Sequence, residues 1–180
     1  SISVESSASE KPVYICVTTH DNEPEPTYYK WSYREIWEFN ADLFANAGYL
    51  NDKFYMFERH TSQNTYYCWG RDSSKVMLLA TTDKLTENLI YEKKLIEIPR
   101  DHDKLKILYY IEVKQNRIRK GAYAYFENMQ RNIEQAGSIF SPIPAEMRGN
   151  IVCVSDPKEW VLGYVDVTNT TIMKRFMPEL

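Results

Sequence analysis

From residue 27 to residue 39 the chain alternates with a period of two. Tyr29, Trp31, Tyr33, Glu35, Trp37 and Phe39 point one way, and Tyr28, Lys30, Ser32, Arg34, Ile36 and Glu38 the other. A helix would scatter these rings around its axis, whereas an extended strand collects them on one face. The pattern therefore predicts a ribbon that organises a sheet. At roughly 3.3 Å per residue it spans about 40 Å, longer than an ordinary strand, so a bulge or bend near Arg34 and Glu35 is expected.

The rest of the chain supplies partners for such a ribbon. Segments 13–19, 54–58, 65–70, 75–81, 89–98, 105–114, 150–155, 161–168 and 172–176 are rich in β-branched and aromatic residues and are bounded by turn formers. In segment 105–114, Leu105, Ile107, Tyr109, Ile111 and Val113 are expected to face inward, with Lys106, Glu112 and Lys114 outward. Val76-Met77-Leu78-Leu79-Ala80 is apolar on both faces and reads as a central, buried strand. The short connections imply antiparallel pairing, because a parallel crossover needs a dozen residues or more.

One helix interrupts the pattern. Ala122, Tyr125, Phe126, Met129, Ile133 and Ala136 form a single apolar stripe, and Gly137 follows at a helix-stop position, so a helix over 119–136 is expected to lie across a sheet. Arg117, Arg119 and Lys120 precede the stripe, at the amino end where the helix dipole would favour carboxylates. Beyond it, Ser138-Ile139-Phe140-Ser141-Pro142-Ile143-Pro144 reads as extended chain, since its prolines lack amide donors. Residues 1–11 are polar and read as a flexible leader or linker, leaving 12–180 as a single β-rich domain.

Composition narrows the function classes. The 180 residues are 43% apolar and 26% charged, the balance of a globular chain rather than a disordered one. A formal charge of -3 supplies no broad attraction for phosphates, so nucleic acid is not an expected partner. There is no run of about 18 apolar residues, the length needed to cross a bilayer as a helix. The aromatic share is 14%, with only 6 Gly. Rings at this density serve either pleated, half-buried surfaces or exposed recognition surfaces.

Candidate site residues follow from these features. If exposed, Trp31, Tyr33 and Trp37 could stack on sugar faces or anchor a protein; the plainer reading makes them core knobs against the helix stripe. Arg117 and Arg119, with Lys120, could hold an anion at the helix start, against a merely solvated basic turn. Glu35 is the one acid on the aromatic face. A second carboxylate beside it would suggest glycoside hydrolysis; otherwise it meets a cross-strand Lys or Arg or marks the bend. His20-Asp21 and His102-Asp103 could pair as metal ligands, although loop histidines beside turn aspartates are ordinarily solvated, and no cofactor is expected. His60 stands apart from both. G-x-S-x-G, G-x-G-x-x-G and phosphate-loop spacings are absent.

Several stretches together resemble a known family. They are Tyr28-Tyr29-Lys30-Trp31-Ser32-Tyr33-Arg34-Glu35-Ile36-Trp37-Glu38-Phe39, Cys68-Trp69, Tyr123-Ala124-Tyr125-Phe126-Glu127-Asn128, residues 137–144, Gly149-Asn150-Ile151-Val152-Cys153-Val154 and Gly163-Tyr164. The likeness is to Domain of Unknown Function 4249, in its central to carboxy-terminal region, and covers most of residues 12–176. The resemblance implies an exported bacterial outer-membrane lipoprotein, anchored through a lipid outside this chain and found beside TonB-dependent receptors. It also implies flanking regions, so the chain is expected to be part of a longer lipoprotein. With that compartment, Cys16, Cys68 and Cys153 are an odd count, and Cys153 could pair with a cysteine in the tail; buried unpaired thiols are the alternative.

The expected fold is α+β and mainly β: an antiparallel sandwich or partly closed barrel with one long amphipathic helix. The expected function is a non-enzymatic accessory or binding role, aiding a TonB-dependent receptor in nutrient capture with a glycan or peptide as ligand. A structural or adhesion module contacting another envelope protein is the alternative, and an enzyme acting on glycans or peptides comes last.

Overall fold

A computed structural model describes residues 1–5, 11–44, 47–56, 66–135 and 147–178. In chain order its strands are β1 (Ile2–Glu5), β2 (Val13–His20), β3 (Tyr28–Asn40), β4 (Ala47–Leu50), β5 (Lys53–Met56), β6 (Tyr67–Ser73), β7 (Leu78–Thr81), β8 (Leu89–Ile98), β9 (Leu108–Ile118) and β10 (Asn169–Pro178). A 3-10 turn (Asp103–Leu105) precedes β9, and helix α1 (Lys120–Gln135) follows it.

The aromatic ribbon is β3, and it does organise a sheet. In the order β10-β9-β3-β6 every pair is antiparallel, and β7 also pairs with the start of β3. A second sheet, β1-β2-β8, faces it. Val13, Ile15, Val17, Ile90 and Ile98 of that sheet meet Tyr29, Trp31, Tyr109, Ile111 and Val113 in one core. Gln115 links the layers, its Oε1 accepting from Thr19 Oγ1 at 2.5 Å and from Trp31 Nε1 at 2.9 Å. The fold is an α+β, mainly β sandwich whose sheets do not close into a barrel.

Several expectations are corrected. β3 runs thirteen residues and keeps register with β9 from Tyr28 to Glu38, with no bulge at Arg34 or Glu35. Instead its other edge changes partner: β7 pairs with Tyr28 to Trp31, and β6 with Arg34 to Asn40. The bulges lie between β2 and β8, where Glu92 adopts φ +47° and donates its N–H to Thr18 Oγ1. Residues 2–5, expected in a flexible leader, form β1 against β2, because Ile2 and Val4 pack onto the core. β7 is shorter than segment 75–81 and pairs with β3 alone, so it is not a central strand. Segments 150–155 and 161–168 carry no strand; they are joined through a side chain, the Asn150 amide donating from Nδ2 to the Val165 carbonyl and accepting the Val165 N–H on Oδ1.

Helix α1 lies on the sheet face opposite the core. Tyr123 meets Tyr28 at 5.4 Å, Lys30 Nζ sits 3.8 Å over the Phe126 ring, and Ala122 and Tyr125 are buried. Trp31 is therefore a core knob against the second sheet, not against the helix stripe. Only the first half of the stripe is covered, since Ile133 is exposed. Ala136, Gly137, segment 138–144, His60 and residues 57–58 lie outside the described residues.

Candidate functional site

The predicted binding residues do not come together. Trp31 is 1% exposed and cannot meet a ligand. Tyr33 and Trp37 are half-buried on the same core-facing side of β3. Trp37 packs so closely on β6 that a Cβ at Gly70 would overlap its indole, and Lys104 Nζ lies 4.7 Å from its ring centroid. Arg117 pairs with Asp21 at 2.9 Å. Arg119 is committed to Asp166, whose Oδ2 accepts its backbone N–H at 3.0 Å while Oδ1 lies 3.6 Å from its Nε. Asp166 thus supplies the carboxylate that the helix start lacks in its own sequence, and the anion position there is filled from within the chain.

Glu35 is sealed as well. It is 1% exposed, accepts from Lys104 Nζ at 2.5 Å on Oε1 and from Tyr109 hydroxyl at 2.5 Å on Oε2. Its cation comes from the 3-10 turn rather than from a neighbouring strand. Burial, then the Glu35 charge, pushes the Tyr109 hydroxyl well above its ordinary range; Tyr33 is raised by burial, then by Glu35 and Asp72. His102 does not take part in a ligand pair: its Nδ1 accepts the Lys104 N–H and caps the turn. Cys16, Cys68 and Cys153 are not joined to one another.

The open chemistry lies on the other face of the β3 sheet. Where β7 leaves β3 and β6 joins it, Ser32 and Tyr33 have no strand on that edge, and Ser74 closes the gap. Its Oγ accepts from Tyr33 N–H at 3.3 Å, and its own N–H donates to the Tyr33 carbonyl at 3.0 Å. The gap is a notch of about 270 Å³ lined by Ser32, Tyr33, Arg34, Ser73, Ser74, Glu112 and Lys114.

Glu112 forms one wall. Its side chain is 9% exposed because Arg34, directly across on β3, and Lys174, across on β10, close over it. Arg34 Nη2 at 3.3 Å, the Tyr110 hydroxyl at 3.4 Å and Lys174 Nζ at 3.7 Å all converge on Oε2. Among the described residues no donor reaches Oε1. Beside the notch, Tyr110 and Phe176 form a ring pair at 4.6 Å, and Phe176 is 66% exposed. Ile172 and Trp69 stand exposed on the same sheet. Glu112 was expected to face outward, and it does; its burial follows from strand register, which composition does not reveal.

A second exposed region is the β4-β5 hairpin. Asn51 and Asp52 both take positive φ, the backbone of a type I′ turn, and Tyr49, Leu50, Phe54 and Met56 are exposed. The hairpin joins neither of the other sheets.

These features define a two-layer β module with one covered and one largely open sheet face. The chain belongs to the family Domain of unknown function (DUF4249), whose match spans residues 1–173 and so includes β1. No curated protein and no solved structure matches it.

Proposed function

We propose that this chain is a non-enzymatic binding module of the bacterial cell envelope, carried on an outer-membrane lipoprotein. In this reading it assists a TonB-dependent receptor in nutrient capture, and the open face of the β3 sheet is its binding surface. The supporting observation is the exposure of Phe176, Ile172 and Trp69 around a polar notch on one face. Apolar side chains gathered on one surface and rimmed by charge are typical of interaction sites. The buried, fully paired Glu35 weighs against the catalytic alternative, because no substrate reaches it.

The test is co-purification of the full-length lipoprotein with the receptor encoded beside it. The pair is expected to co-purify, and Trp69→Ser with Phe176→Ser to weaken it about tenfold or more. A receptor that never co-purifies overturns the reading. The β4-β5 hairpin favours a second one, docking onto another envelope protein, since both of its faces carry exposed apolar side chains. Loss of partner binding on Phe54→Ser, with Phe176→Ser silent, would select it.

A further inference from the structure

We infer that the notch between Ser74 and Glu112 binds a carboxylate-bearing saccharide, of the uronic acid class; this names the ligand of the surface proposed above and rests on that reading. The starting point is the Glu112 carboxylate. Nine-tenths buried, it is held on Oε2 by hydrogen bonds from Arg34 and Tyr110 and by the Lys174 ammonium at 3.7 Å, while Oε1 of this notch-lining side chain has no donor among the described residues. An acceptor of a largely buried carboxylate that has no protein donor and reaches solvent is open to a ligand that brings a hydrogen-bond donor.

The surroundings decide which donor. Arg34, Lys114 and Lys174 outnumber Glu112 by three charges to one. Lys114 makes no ion pair among the described residues. An ammonium group entering here would meet this excess of positive charge, whereas a hydroxyl would not. The same excess favours a carboxylate elsewhere on the ligand, received by Lys114 and by the outer N–H groups of Arg34. Ser32 and Ser73 add hydroxyls suited to further ligand oxygens. Two residues along β9 from Glu112, the Tyr110 and Phe176 rings offer a surface for the apolar face of a sugar ring. Hydroxyls, a carboxylate and an apolar ring face occur together in a uronic acid.

The experiment is isothermal titration calorimetry of the full chain with a trigalacturonate, and with maltotriose and citrate as neutral and non-sugar controls. The trigalacturonate is expected to bind and both controls to bind at least tenfold more weakly, about the value of one charge-assisted contact. Lys114→Met, at an exposed position, is expected to weaken binding about tenfold. Glu112→Gln decides the role of Oε1: if that oxygen accepts a ligand hydroxyl, affinity falls, whereas simple anion attraction predicts that it rises. Melting curves confirm that each variant is folded, and Lys114→Met alone remains decisive if Glu112→Gln is not. No heat with trigalacturonate, citrate binding as tightly, maltotriose binding as tightly, or unchanged affinity in Lys114→Met each overturns the inference. If it fails while the receptor still co-purifies, the binding-module reading stands and only the ligand falls.

Discussion

Replacing Lys104 by Met should be among the most destabilising changes available at a charged position. Glu35 is 1% exposed and its two oxygens have one donor each, Lys104 Nζ and the Tyr109 hydroxyl. Taking away the cation leaves a buried carboxylate with a single neutral donor, a situation that typically costs about 3–5 kcal/mol. Against a total stability of about 5–15 kcal/mol this is a large fraction. The pair need not be stabilising in itself. In Glu35→Met with Lys104→Met and Tyr109→Phe, all three polar partners are gone together, and stability should return to within about 1–2 kcal/mol of the native chain. Urea denaturation followed by tryptophan fluorescence reads both, since Trp31 and Trp37 lie on the same face of β3 as Glu35. If Lys104→Met unfolds within about 1 kcal/mol of the native chain, the charge is not sealed as described and the burial argument fails.

Four further outcomes follow. Tyr109 is buried with its hydroxyl raised above the usual 10.0, so the unfolded chain releases that proton first. Stability should therefore fall above about pH 10, by up to ~1.4 kcal/mol per pH unit from this group, and Tyr109→Phe should flatten the slope of a denaturant-midpoint series from pH 8 to 11. Asp166→Ala removes the acceptor for the Arg119 N–H and should cost about 1 kcal/mol, read as an earlier melt of the helical circular dichroism signal. Gly70→Ala places a Cβ inside the space of the Trp37 indole and should cost about 1–3 kcal/mol, with a changed Trp emission. Glu92→Gly relieves a positive φ at a bulge and should stabilise by up to about 1 kcal/mol in thermal melts; a loss would mean that the bulge is not formed.

What could be read before any coordinates was what depends on local periodicity. The two-residue alternation of Tyr29 to Phe39 located β3, the turn-bounded run 89–98 coincides with β8, and the stripe from Ala122 to Ile133 located α1. The β4-β5 hairpin is carried by local signals as well: Asn51-Asp52 between Tyr49-Leu50 and Phe54-Tyr55 is a turn signal with apolar flanks. Apolar runs alone misled at Val76 to Ala80 and in 150–168, because local β propensity does not say whether a neighbouring strand exists to pair with. The candidate site was the least legible part. Arg34, Glu112 and Lys174 lie far apart in the chain and meet only through the registers of β3, β9 and β10. Trp31 and Trp37 show the converse: a ring ladder fixes a strand, but whether it faces a partner or the core depends on the second sheet, which alternation within one strand cannot reveal.

The claim that the open face of the β3 sheet is where this protein works is tested most directly by site-specific photocross-linking in the intact envelope. Under the proposed receptor-assisting role, a benzoylphenylalanine introduced at Phe176 is expected to cross-link to the partner receptor, while the same group at the exposed Tyr91, on the second sheet, is expected to give no such product. Cross-linking from position 91 and none from position 176 would contradict the account.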